Sequence, residues 1–127
     1  MKISYLIYNF QFKLLVGGIL SPNPVENPFW HDANHVFVPY CSSDSWSGTR
    51  AKPESSNSLR FMGSLIVRQV MVDLILLGLG HSQGADLLMA GSSAGGTGVM
   101  LNLDKVKHLL QEEKGEVYFL IFFLFIY

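Results

Sequence analysis

Cysteine is nearly absent from this chain: Cys41 is the only one. A disulfide within the chain is therefore excluded, and a small disulfide-stapled fold with it. Charge is scarce too. Charged residues make up 15% of the sequence, against about 25% in an ordinary soluble domain. The formal net charge is −1, so no basic surface for nucleic acid or anionic membrane is implied. No apolar run is long enough for a membrane helix, which needs about 20 residues. The longest, Val117 to Tyr127, falls well short. Nor are there internal repeats. At 127 residues the chain can form one small domain.

Several motifs are present only in part. His31 and His35 are four apart, but the glutamate that follows the first histidine of a zincin is missing, and Pro28 opposes a helix there. Ordinary polar contacts are expected of both histidines, and no metal. Gly91 and Gly96 have the spacing of a phosphate loop, yet Thr97 stands where its lysine belongs. A dinucleotide fingerprint starting at Gly96 and Gly98 fails at Leu101, where glycine or alanine is needed. An intracellular nucleotide-binding module is disfavoured on these grounds, and no cofactor is expected.

What is there centres on residues 87–98. Leu87 to Ala90 reads as a buried strand, followed by Gly91-Ser92-Ser93-Ala94-Gly95 and a helix. Gly-x-Ser-x-Gly in that context is the nucleophile-elbow pattern. A serine on a tight strand-to-helix turn needs small residues two before and two after it, where strand and helix converge. The helix N-terminus aims free N–H groups and its positive end at the site. The N–H of Ala94 is placed to donate to an oxyanion. The competing reading is a glycine-rich turn without chemistry.

Around this segment the pattern is α/β. Val36 to Tyr40 is expected as a core strand and Cys41 to Asn57 as a serine-rich loop at its carboxyl end. Leu59 to Leu77 is expected as a helix whose apolar face holds Phe61, Leu65, Val72 and Leu76, widened by Ile66, Val70 and Leu74. Gly78, Gly80 and Gly84 end it. Asp86 to Ala90 leads into the elbow. The later part of the second helix, Asn102 to Lys114, turns Val106, Leu109 and Leu110 inward and Lys105, Gln111, Glu112 and Glu113 outward. Met100, Leu101 and Leu103 are expected in the core. The sum is a parallel βαβ core with a right-handed crossover. Ser21 to Pro28 reads as an extended loop held by three prolines. Asp44 is expected to bond local N–H groups. Trp46 is expected either to shape a pocket mouth or to anchor packing. Cys41 is expected to be free, buried and inert, and His81 to be exposed.

Three tracts carry a resemblance: Asn27-Pro28-Phe29-Trp30, Val36 through Gly48 (VFVPYCSSDSWSG), and Gly91 through Gly98 (GSSAGGTG). In this order they resemble the Notum-type carboxylesterases of the pectin acetylesterase family, over roughly Gly18 to Lys114. The resemblance implies a partial α/β-hydrolase domain at 18–114, with 1–17 and 115–127 unmatched. It implies a secreted serine carboxylesterase with a Ser-Asp-His triad that removes a palmitoleoyl group from Wnt proteins and so dampens Wnt signalling. Ser93 corresponds to the nucleophile. Cys41 would find a disulfide partner in sequence outside this chain. The family's Gly-Gly-Trp stretch, which supplies further oxyanion donors, has no counterpart in residues 1–17, a segment that also reads as a poor signal peptide.

The triad acid and histidine are expected not to lie in this chain. In this fold they follow the serine, and after Ser93 the chain offers Asp104, Glu112, Glu113, Glu116 and His108. Asp104 and His108 are four apart on the elbow helix and read as a solvated pair. The alternative to an esterase is thus a catalytically inactive fragment that keeps the elbow. Residues 117–127 read first as intron-derived sequence. A buried edge strand or a truncated anchor are the other readings.

Overall fold

The structure, a computed structural model, describes residues 17–50, 60–79, 86–114 and 118–124. The expectations for residues 1–16 and for Gly80, His81 and Gly84 lie outside them. The chain divides into two compact units, Met1–Pro39 and Tyr40–Tyr127.

In the first unit a 3-10 turn, Gly18–Leu20, precedes a series of turns. Asn27 organises them. Its Nδ2 donates to the carbonyls of Ile19 (2.9 Å) and Ser21 (3.0 Å), and its Oδ1 accepts the N–H of Trp30 (3.1 Å). A buried amide with several satisfied bonds can hold an irregular loop that has no ladder of its own.

The second unit is built on a strand, a helix and a strand. Strand β1 (Asp86–Ser92) runs into the elbow, helix α2 (Ala94–Lys114) crosses over, and strand β2 (Tyr118–Leu124) pairs parallel with β1. The register sets Asp86 against Tyr118 and Ser92 against Leu124. The βαβ unit therefore forms with different strands from those expected. Val36 to Tyr40 is not a strand, and Val36 and Phe37 are exposed. A β-run without a paired neighbour leaves its backbone groups to solvent, whatever its apolar content. Its place in the sheet is taken by residues 118–124.

Helix α1 (Gly63–Leu76) packs on α2. It begins four residues later than expected and buries another face. Met71 and Ile75 are buried and Val67 and Leu74 pack beside them, whereas Leu76 is 76% exposed. The outward stripe of α1 runs through Gln69, Asp73 and Leu76 at spacings of four and three, so Leu76 shares the solvent face with two polar residues. Its end follows the glycine rule: Gly78 adopts φ 111°, with Leu79 N–H on Leu74 C=O (2.9 Å) and Gly78 N–H on Ile75 C=O (3.1 Å). This is the paired closure of a helix by a left-handed residue.

The core joins Met71 and Ile75 to Val106 and Leu110 of α2, with Leu87 and Met89 of β1 against them. Val106, Leu109 and Leu110 thus face inward as expected, and Gln111 and Glu112 face outward. Lys105 is exposed as expected, and its Nζ also donates to the Ser64 hydroxyl (2.9 Å). Met100 and Leu101 are not core residues. They are 56% and 47% exposed, because the buried stripe of α2 runs through Val99, Asn102, Val106 and Leu110 at spacings of three and four.

Candidate active site at the strand-to-helix elbow

Ser93 sits between the last residue of β1 and the first of α2, with φ at 52°. A left-handed backbone at a residue with a Cβ costs about 1–2 kcal/mol, and such strain gathers where function needs it. The chain makes this turn because β1 must reverse abruptly into α2. The crowding is one-sided. A Cβ at Gly91 would overlap the backbone carbonyl group of Gly95, so position 91 must be glycine. A Cβ at Gly95 would meet nothing within 4 Å. The expectation that both flanking positions are sterically fixed therefore holds at 91 and fails at 95, where the missing side chain leaves open space.

Ser93 is exposed and, among the described residues, its hydroxyl has no hydrogen-bond partner. Its carbonyl accepts the N–H of Thr97 (3.1 Å), the first bond of α2. Ala94, as the first helical residue, has no intrahelical acceptor for its N–H. No acidic side chain occupies the first turn, so the positive end of α2 is not neutralised beside the serine.

The loop 40–48 braces this elbow. Ser43, Ser45 and Trp46 all have positive φ, at 52°, 51° and 62°. Asp44 holds the strained turn together. Its carboxylate accepts the Ser42 hydroxyl and the N–H groups of Trp46 (3.0 Å), Gly48 (3.0 Å) and Gly63 (2.7 Å). The bonding to local N–H groups is as expected. The bond to Gly63 is an addition that sequence did not announce: Asp44 caps α1 from nineteen residues away and places a negative charge at its positive end. Burial raises the Asp44 pKa and is the largest single influence. The bonds from Ser42, Gly63, Gly48 and Trp46 together outweigh it and hold the carboxyl below its usual range.

Trp46 anchors packing. It is 6% exposed, its ring tilts on Tyr40 with centroids 5.3 Å apart, and a Cβ at Gly98 would overlap the indole. Below it lies Asn102, 1% exposed, which sequence reading passed over as a helix boundary. Its Nδ2 donates to Trp46 C=O (2.8 Å) and Gly98 C=O (2.8 Å), and its Oδ1 accepts the Ser64 hydroxyl (2.7 Å). A polar residue at an α2 position in step with Val99 and Val106 was the available signal.

The other candidates make contacts of their own. His108 pairs through Nδ1 with Glu112 Oε1 (3.2 Å), not with Asp104, and is 75% exposed. It lies fifteen positions beyond Ser93 on α2, an axial separation of about 22 Å at 1.5 Å per residue. That distance keeps it from the serine. In the first unit His35 Nε2 meets Trp30 C=O (2.8 Å), and His31 donates its backbone N–H to Asn27 C=O (3.1 Å). Among the described residues no cluster of three or more His, Cys, Asp or Glu gathers to hold a metal. Cys41 is free and exposed rather than buried. No helix among the described residues is long and apolar enough to cross a membrane.

Comparison with known proteins gives this geometry a lineage. The chain is 64% identical over 102 residues to the palmitoleoyl-protein carboxylesterase Notum of Drosophila melanogaster, covering 78% of this chain and 15% of the relative. Identity to the human palmitoleoyl-protein carboxylesterase Notum is 56% over 95 residues, covering 75% of this chain and 18% of the relative. A crystal structure of the Wnt deacylase Notum from Drosophila superposes with a TM-score of 0.78 at 59% identity, over 84% of this chain and 32% of that one. The chain thus spans less than a fifth of the length of these curated relatives. The fold is a partial α/β-hydrolase fold, a parallel βαβ core carrying an elbow. Residues 9–121 match the family profile of the pectinacetylesterases, and the chain belongs to that family.

Proposed function

We propose that this chain is the elbow-bearing segment of a secreted serine carboxylesterase that removes a palmitoleoyl ester from Wnt proteins and so restrains Wnt signalling. The observation that carries the proposal is Ser93 at φ 52° between β1 and α2, with Gly91 packed against the backbone of Gly95. The names of the relatives, palmitoleoyl-protein carboxylesterase and Wnt deacylase, supply the substrate class. Ser93 Oγ attacks the ester carbonyl, and the Ala94 N–H donates to the oxyanion that forms. A histidine must take the serine proton and an acid must orient that histidine. In this fold the acid and the histidine follow the serine, and His108 is too far along α2 for this task, which supports a histidine and an acid supplied from outside the described residues.

The test is hydrolysis of an O-palmitoleoyl serine peptide by the protein expressed from its own complete transcript, beside its Ser93→Ala variant. Turnover that disappears in Ser93→Ala supports the esterase. Turnover that survives the substitution removes Ser93 from the chemistry. A second reading, an inactive form that retains the elbow but lacks the triad acid and histidine, draws on one observation: His108, the one histidine on α2, lies out of reach of Ser93. Absence of any turnover in the unsubstituted protein would favour it.

A further inference from the structure

We propose that Asn102, backed by Trp46 and Ser64, is the positioning residue that fixes the oxyanion-binding first turn of α2. The proposal rests on the reading of Ser93 as nucleophile and of Ala94 N–H as oxyanion donor.

The first turn of α2 is a poor helix by composition. Gly95, Gly96 and Gly98 all fall within its first five residues, and each glycine costs about 0.5–1 kcal/mol relative to alanine in a helix. Such a turn has no intrinsic rigidity, yet a donor to a developing oxyanion must be held to within about 0.5 Å. The turn is held from outside. Asn102 Nδ2 grips the Gly98 carbonyl, four residues back. The same nitrogen grips the Trp46 carbonyl, whose indole fills the space a Cβ at Gly98 would need. Oδ1 accepts the Ser64 hydroxyl of α1, and Lys105 Nζ donates to that hydroxyl oxygen (2.9 Å).

One buried amide therefore ties loop 40–48, α1 and the glycine turn into a unit. All of its polar valences point at the framework and none at a substrate, so its contribution to catalysis passes through the position of Ala94 N–H. A buried amide whose donors and acceptor all find partners specifies one arrangement where apolar packing would allow several.

The experiment uses the protein expressed from its own complete transcript, with Asn102→Ala and the milder Ser64→Ala. Asn102→Ala lowers kcat by about 10- to 100-fold, the scale of a displaced catalytic group, while KM stays within about two-fold because the Asn102 side chain is spent on Trp46, Gly98 and Ser64. Ser64→Ala lowers kcat in the same direction by a few-fold. Hydrogen exchange at the Thr97 and Gly98 amides quickens at least about ten-fold in Asn102→Ala, with the β1–β2 amides unchanged.

An unchanged kcat in either folded variant would overturn the positioning role. A uniform rise in exchange across α2 and the sheet would overturn it too, since that marks global loss of stability. If Asn102→Ala does not fold, Ser64→Ala decides alone. Turnover that persists in Ser93→Ala would instead overturn the nucleophile assignment, and the exchange result would then show the brace to be architectural.

Discussion

Asn102 of α2 donates to the backbone carbonyl of Trp46, fifty-six residues earlier, across 2.8 Å. The bond joins the tract that is most specific in sequence, Tyr40 to Gly48, to the helix that carries the elbow serine on its N-terminal flank. Neither partner is interpretable alone. A tryptophan with φ at 62° is strained without a reason, and a buried asparagine in a helix is a cost unless its amide is satisfied.

The space between them can be tested with two glycines. Gly98→Ala forces a methyl group into the Trp46 indole and is expected to destabilise the protein by about 1–3 kcal/mol, as overpacking does. Gly95→Ala, only three residues earlier, enters open space and is expected to be neutral or to stabilise by about 0.5–1 kcal/mol through helix propensity. Urea denaturation of both variants checks the contrast. Equal effects would mean that the indole does not sit on Gly98.

Sequence legibility followed how local each constraint was. The elbow was readable because Gly91 and Ser93 answer to a turn only a few residues long. The bonding of Asp44 to Trp46 and Gly48 was readable for the same reason. The buried face of α1 is set by what α2 presents, Asn102 to Ser64 and Val106 with Leu110 to Met71 with Ile75, and those partners lie some forty residues away in sequence. The strand expected at Val36 to Tyr40 failed because strand formation depends on a partner. Asn102 was missed because its acceptor at Trp46 and its donor at Ser64 are distant in sequence.

Acid should loosen the loop that Asp44 holds. The folded-state pKa of Asp44 lies below its ordinary value, so the unfolded chain binds more protons in the window between the two. Stability from this group is therefore full above the ordinary carboxylate range and is lost as pH falls through the lowered folded value. Asp44→Asn removes that dependence and lowers stability at neutral pH. Thermal melting of both proteins from about pH 2 to 7, spanning the carboxylate range, measures it. Parallel Tm profiles for the two would refute the assignment.

His108 offers a control on the surface of α2. Its contact with Glu112 is exposed on both sides, at 75% and 65%, and such pairs contribute little because water and salt screen them. His108→Ala is expected to leave Tm within about a degree or two, as for a surface substitution of under about 0.5 kcal/mol, and to leave ester hydrolysis unchanged. A variant that loses hydrolysis while keeping its Tm would bring His108 back as a proton acceptor and require α2 to break before it.

The strain at Ser93 separates stability from activity. Serine and alanine both carry a Cβ and suffer equally at φ 52°, whereas glycine adopts that angle freely. Ser93→Gly is therefore expected to be more stable than Ser93→Ala, by up to about 1–2 kcal/mol from the relieved left-handed strain, less what glycine gains in the unfolded chain. Both variants lose the hydroxyl and should lose hydrolysis together. Comparing the two by urea denaturation isolates the backbone term, since neither retains the nucleophile. If Ser93→Gly is the less stable of the pair, the elbow is not strained at this residue, and the left-handed turn would then be an unforced conformation rather than one that β1, Gly91 and α2 impose on the serine.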